Sequence, residues 1–197
     1  MRKKIPAGSL VRKLDEKISG RLDIRKTLIL GVVLKGLPVA YSIARTNCTI
    51  ENFVPVVAHR PLQFLHHVNS YLPSLEWKSN LEEKLNRCES LIIIDDVVNS
   101  GFTKQKLESI AASLTSGYGI SRWFAALILN RKNLAGPSFV YPKDIFALKV
   151  NAEEVECDWG AITVPLWDLP LAKALQRCEE YYQKHWISEK RFITIAY

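Results

Sequence analysis

The feature that most constrains this chain is the run Leu91-Ile92-Ile93-Ile94-Asp95-Asp96-Val97-Val98-Asn99-Ser100-Gly101-Phe102-Thr103. Four apolar residues in a row read as a strand buried on both faces, which is the signature of a parallel sheet covered by helices. Two acids follow the apolar run, then a turn of small residues, then a helical stretch over about 103–116. In open α/β sheets the carboxyl ends of the strands carry the ligand. A short turn running into a helix N-terminus there presents backbone N–H groups to an anion, and a phosphate is well suited to that position. The hydroxyls of Ser100 and Thr103 add donors, and Asp95 and Asp96 are placed to accept from sugar hydroxyls.

A second segment has the same form. Leu28-Ile29-Leu30-Gly31-Val32-Val33-Leu34 reads as a buried strand, Lys35-Gly36-Leu37-Pro38 breaks it, and 38–45 reads as a helix. Pro38 suits a first helical turn, where its missing N–H has no partner to lose. Gly36 permits a close approach of backbone to a ligand, and Lys35 is a compact charge for phosphate. This loop lies about 60 residues before the acidic pair, inside an alternating β/α pattern.

At these two motifs the chain resembles the type I phosphoribosyltransferase family, whose signature is an apolar strand, two acids, two apolar residues, any residue, Thr or Ser, Gly, any residue, Thr. The resemblance implies an α/β fold: an open, mostly parallel twisted sheet flanked by helices, with a small hood built from the chain ends. It further implies a transferase, specifically a glycosyltransferase moving phosphoribosyl from phosphoribosyl pyrophosphate (PRPP) to a nitrogenous base or similar acceptor in nucleotide metabolism, with release of pyrophosphate. The PRPP-binding residues it points to are Leu34, Lys35 and Gly36 (the pyrophosphate loop), Asp95 and Asp96, and the phosphate loop Val98, Asn99, Ser100, Gly101, Phe102 and Thr103. Lys35, Asp95 and Asp96 would carry catalysis. Magnesium is the implied cofactor, held mostly by substrate oxygens and water, with Asp95 and Asp96 acting largely indirectly. Ser70-Tyr71 is similar to a dipeptide of the family's closing loop. Asn130, Arg131 and Phe146 align with acceptor-binding positions.

Two positions depart from the purine-salvage pattern. Asn99 stands where 6-oxopurine enzymes usually carry an Asp that takes a proton from the base, and an amide cannot titrate. Asn130 stands where those enzymes carry a Lys. Both weigh against hypoxanthine or guanine as acceptor, and they keep open a non-catalytic PRPP- or nucleotide-sensing protein of the same fold.

Length and composition bound the rest. A chain of 197 residues with a 48% hydrophobic share supports one domain over 1–197, with a core of about 22–150 and a hood from about 1–21 and 151–197. Residues 9–20 read as a helix with Leu10, Val11, Leu14 and Ile18 on one face; 53–57 reads as a strand that Pro55 makes either an edge or an irregular one. Further elements are expected at 80–88, 123–129, 139–141, 145–148 and 171–185. His66-His67 has no third partner at a metal-ligand spacing. No apolar run reaches the roughly 18 residues of a membrane span, the N-terminus lacks a secretory apolar region, and the cysteines at 48, 88, 157 and 178 are scattered, so a reduced cytoplasmic setting is expected. The charge of +7 suits a phosphate-rich substrate and permits nucleic acid. Arg2, Lys3, Lys4, Arg12, Lys13 and Lys17 load the N-terminus, where a solvated basic helix is the plainer reading. The resemblance also leaves a homodimer open.

Overall fold

The structure, a computed structural model, describes residues 5–33, 36–57, 75–98, 102–129, 145–148, 155–156 and 171–187. In chain order the elements are β1 (Ile5–Pro6), α1 (Ala7–Ser19), β2 (Thr27–Val33), α2 (Gly36–Thr46), β3 (Phe53–Val57), α3 (Leu75–Arg87), β4 (Ser90–Val98), α4 (Phe102–Leu114), β5 (Ser121–Leu129), β6 (Ile145–Leu148), β7 (Val155–Glu156) and α5 (Leu171–Tyr181), which runs on as a π-helix over Tyr182–Ile187.

Five strands form one sheet in the order β3-β2-β4-β5-β6, and each pairing is parallel. The apolar runs explain the burial. Leu91 and Ile93 of β4 face one side, with Leu28 and Leu30 of β2, against Leu81 and Leu85 of α3 and Leu107 and Ala111 of α4. Ile92 and Ile94 face the other side, with Ile29 of β2, against Leu10, Leu14 and Ile18 of α1, Ile43 of α2 and Cys178 of α5. The result is a three-layer α/β/α arrangement in which neither face of the central strands meets water. The four α1 residues expected on one face are indeed covered, with Leu14 and Ile18 at 0% exposure. Burying each such side chain stabilises by about 1.5–3 kcal/mol.

Chain order and sheet order differ in one informative place. The chain goes from β2 to β3 on one side, then returns past β2 to lay β4 on the other side. Ligands of open α/β sheets bind at the carboxyl ends of the strands where the winding reverses, here between β2 and β4. Pro55 sits where its missing N–H is harmless, on the edge strand β3, opposite Gly31.

Several boundaries differ from the pattern in the sequence. α2 starts at Gly36 rather than Pro38, which leaves Pro38 inside the first turn, where no intrahelical N–H bond is lost. α3 begins at Leu75, five residues earlier than expected. β4 does not stop before the acids. It continues through Asp95 to Val98, because β5 offers an equally long partner: Asp95 pairs with Ala126 and Val97 with Ile128. Backbone ladder bonds, not apolarity, decide where that strand ends. The strand expected at 139–141 lies outside the described residues. Two short strands were not foreseen: β1 pairs in parallel with β7, which sets the segment before α1 beside residues 155–156.

Candidate functional site

The carboxyl ends of β2 and β4 lie side by side, and the two motifs meet there. The contact that joins them is backbone on backbone. Gly36, the first residue of α2, is so close to β4 that a Cβ built on it would stand 2.6 Å from the Ile94 carbonyl oxygen, 2.7 Å from Asp95 Cα and 3.2 Å from Asp95 Oδ1. Gly36 is not among the described glycines with positive φ, which are Gly117 and Gly119. The position therefore requires glycine for space, not for an unusual dihedral. The close approach that the sequence suggested toward a ligand is made toward the acidic strand itself.

The two acids are not equivalent. Asp95 is buried at 9% exposure, and its Oδ1 accepts the Asp96 N–H at 2.8 Å. Asp96 is only partly buried. The step between them also displaces the side-chain alternation of the strand. Before it, even-numbered Ile92 and Ile94 share one cluster and odd-numbered Leu91 and Ile93 the other; after it, Val97 packs against the cluster of Ile92, while Val98 belongs to that of Leu91. Strict period-two geometry would assign Val97 and Val98 the other way round. The acidic pair thus sits at a local re-aiming of the strand, and the strand still keeps its pairing to β5 on either side.

α4 starts at Phe102, just after the small-residue turn, so its N-terminus opens at the same end of the sheet. That end of a 13-residue helix carries N–H groups with no partner inside the helix, and partial positive charge. Lys104 in the first turn does not add to it. Its side chain is buried at 5% exposure, its ammonium pairs with Glu108, and it lies 5.7 Å from the centre of the Phe124 ring. Its charge is committed to the α4–β5 interface.

Of the residues implied by the resemblance, Gly36, Asp95, Asp96 and Val98 are described, and the first three converge. Val98 is buried at 3% exposure and belongs to the core. Phe102 and Thr103 are the first two residues of α4, and Phe146 lies on β6, in register with Ala125 of β5; only their backbone placement is described. Leu34, Lys35, Ser70, Tyr71, Asn99, Ser100, Gly101, Asn130 and Arg131 lie outside the described residues.

One cluster near α2 escaped sequence reading. The Tyr41 hydroxyl donates to Glu179 Oε2 at 2.6 Å, Arg45 Nε donates to the same oxygen at 3.2 Å, and Gln183 Nε2 donates to Oε1 at 2.7 Å. Arg45 also lies 6.0 Å from the centre of the Tyr182 ring. Burial pushes the Tyr41 phenol above its ordinary range, and Glu179 raises it further. Burial works against the Glu179 carboxylate, but the hydrogen bonds from Tyr41 and Gln183 and the Arg45 charge outweigh it and hold the pKa below the usual value. Residues 138 positions apart give no local signal of such a bond.

No family model matches the chain, and no curated protein matches it in sequence. Among solved structures it is similar to an HGPRT-ase from Leishmania tarentolae in complex with GMP, at 16% identity and TM-score 0.42, covering 73% of this chain and 77% of that one. It is similar to a purine phosphoribosyltransferase from Pyrococcus horikoshii at 14% identity and TM-score 0.42, covering 75% and 89%. A hypoxanthine phosphoribosyl transferase from Trypanosoma cruzi gives 12% identity and TM-score 0.42, covering 77% and 78%. The fold class rests on this chain's own strand order and register. They have the architecture that the type I phosphoribosyltransferase resemblance implies: an open parallel sheet, helices on both faces, and the two motif strands adjacent.

Proposed function

We propose that the chain is a phosphoribosyltransferase that binds PRPP at the switch point between β2 and β4 and transfers phosphoribosyl to a nitrogenous acceptor, releasing pyrophosphate. The observation that carries this reading is the seating of Gly36 on Ile94 and Asp95, which brings the first residue of α2 against the acidic strand end. The partly buried Asp96 is the acid assigned to the ribose hydroxyls. Asp95 is assigned to hold the Asp96 backbone in place through its 2.8 Å bond. Leu34 and Lys35 are assigned to the pyrophosphate; Ser100, Thr103 and the N-terminus of α4 to the 5-phosphate; Ser70 and Tyr71 to a closing loop; Asn130, Arg131 and Phe146 to the acceptor. The acceptor hood is assigned to α1, β1, β7 and α5.

Magnesium fits the donor set. The two carboxylates are hard oxygen donors, and among the described residues no group of three His, Cys, Asp or Glu comes together. That suits an ion held chiefly by substrate oxygens and water rather than by a protein cage. When bound, the ion supplies charge neutralisation at the leaving pyrophosphate. Among the described residues no helix is long and apolar enough to cross a membrane. The cytoplasm is the compartment we assign, on the scattered cysteines.

A second reading, a sensor of PRPP or nucleotide without turnover, is favoured by Asn99 and Asn130. Calorimetric titration with PRPP, with and without magnesium, tests both readings. Magnesium-dependent binding that is lost in Asp95→Ala/Asp96→Ala is expected. No binding at millimolar PRPP refutes both. Binding without PRPP consumption across a panel of bases selects the sensor.

A further inference from the structure

The end of the sheet opposite the acidic step carries a cavity that the proposed function does not use. Its volume is about 390 Å³, within the roughly 300–1,000 Å³ of small-molecule sites. It lies between the second half of α4 and the start of β5. Arg122 on its wall pairs with Leu91 in the sheet, and Asp95 stands four residues further along β4. At about 3.3 Å per residue, the cavity and the acidic step are about 13 Å apart along the strands. The sequence of α4 opens the space. Leu107 and Leu114 pack on the core of that side, but between them the helix presents Ala111 and Ala112, and both line the cavity. Ile93, Ile120 and Phe124, all buried, make an apolar floor.

The polar side chains of the lining differ in what they have left to offer. Glu108 pairs with the buried Lys104, which neutralises it. Ser121 Oγ shares a 2.7 Å hydrogen bond with Ser90 Oγ and accepts the Trp123 Nε1–H at 3.1 Å. The Trp123 ring packs against the core cluster on the other side of the sheet. Arg122 is exposed, and among the described residues its guanidinium has no partner. It precedes Phe124 by two residues on β5, so its side chain leaves the sheet on the same side, toward α4.

An apolar floor with one uncommitted guanidinium at its rim defines a ligand by two halves. We propose that this cavity binds a small carboxylate with an apolar, ring-sized body. The body covers Ile93, Ile120 and Phe124, and the carboxylate meets the planar Arg122 fork in two parallel hydrogen bonds. A phosphorylated ligand is the poorer fit, because a dianion calls for more than one cation and Lys104 is already spent on Glu108. A cationic ligand is repelled by Arg122 and finds no uncompensated acid in the lining. The site is independent of the PRPP reading.

The test is amide NMR of the isotope-labelled full chain, titrated with 3-phenylpropionate. One exposed ion pair and a partly covered ring support millimolar affinity, so the titration runs to about 20 mM. Shifts should saturate and be confined to residues 108–112 and 120–124. The neutral 3-phenyl-1-propanol, with the same body, should bind about two- to fivefold more weakly, the worth of an exposed ion pair. 3-Phenylpropylamine should bind more weakly still. Arg122→Gln should cost the carboxylate the same two- to fivefold without disturbing the fold, since the residue is exposed. Ala112→Leu, which carries three more carbons into the space over the floor, should abolish saturation. Lys173→Gln removes an exposed charge on α5 and should leave affinity unchanged. Four outcomes would each overturn the proposal: no saturable shifts at the highest concentration, shifts centred on 94–98, amine binding as tight as carboxylate binding, or undiminished carboxylate affinity in Arg122→Gln. The shifts of the unmodified chain decide the matter even if Ala112→Leu fails to fold.

Discussion

Gly36→Ala is the substitution that tests the architecture of the site most directly. An added methyl would meet the Ile94 carbonyl oxygen at 2.6 Å and Asp95 Cα at 2.7 Å, and both are backbone atoms that no rotamer change can move. Opening those contacts to the roughly 3.0–3.4 Å that Cβ atoms tolerate displaces the start of α2 from β4 by about 0.4–0.8 Å. Overpacking of this kind costs about 1–3 kcal/mol, or about 2–12 °C in melting temperature for a chain of this size. Displacements approaching 1 Å between binding groups reduce activity by up to about 10²-fold. PRPP affinity should therefore fall by about ten- to a hundredfold, beyond anything the loss of stability explains. Gly31→Ala supplies the comparison. A Cβ there meets Phe53 Cε2 at 2.8 Å and Ala40 Cβ at 2.9 Å, in helix–sheet packing rather than at the acidic step. Because Ala40 belongs to α2, this variant also presses on that helix, but away from the acidic step, so PRPP affinity should fall less than in Gly36→Ala. Calorimetric titration and thermal unfolding of both variants make the measurement. If Gly36→Ala binds PRPP as tightly as the unmodified chain, the reasoning that joins the two motifs through this contact is wrong.

The remaining expectations concern single side chains. Asp96→Asn should abolish magnesium-dependent PRPP binding with little change in melting temperature, whereas Asp95→Ala should also destabilise by about 1–3 kcal/mol, since it leaves the Asp96 N–H without its acceptor. Glu179→Gln should lower the melting temperature at pH 7. Because the folded-state pKa of Glu179 is depressed, that advantage exists above the unfolded value of 4.5 and is lost as pH falls through the folded value. The gap between variant and parent should therefore close on acidification from about pH 5 downward, and a gap constant with pH would contradict the assignment. Cys48 is exposed, follows α2 and holds φ of +54°, a left-handed conformation that glycine adopts without strain. Cys48→Gly should raise stability by about 1 kcal/mol, read as an increase of about 2–4 °C in melting.

The sheet was legible because its central strands are apolar on both faces, and that pattern is local. Ile92 to Ile94 and Leu28 to Leu30 need no partner to be recognised, and the α1 residues Leu10, Val11, Leu14 and Ile18 carry a helical period. Pro55 narrowed its strand to an edge or an irregular one for a reason of backbone chemistry alone, and the sheet order decides for the edge. What escaped was set by partners elsewhere in the chain. β4 runs on to Val98 because β5 does, and nothing in Asp95-Asp96 announces that. The two-residue strands β1 and β7 exist only as a pair. That the two motif strands lie side by side is borne out by the pairing of β2 with β4, but the different settings of the two acids were not legible. That Asp95 turns back to its neighbour's N–H, and that the strand changes facing across the step, are properties of the folded backbone.

The bonds that no local pattern foretold share a target. Asp15 of α1 holds Asn47 just beyond the C-terminal end of α2, and Glu179 of α5 holds Tyr41 and Arg45 along its length. Helices near opposite ends of the chain therefore grip the same element, and β1 with β7 ties the flanking segments to each other. The first residue of that element is Gly36, seated on Asp95. A displacement of α2 is resisted at its start by backbone contact and farther along by two acids from distant parts of the sequence. The chain ends thus do more than cover the sheet. They fix the helix whose first residue, Gly36, sits on the acidic strand, so loosening either grip should widen the spacing between Gly36 and Asp95 before it unfolds the sheet.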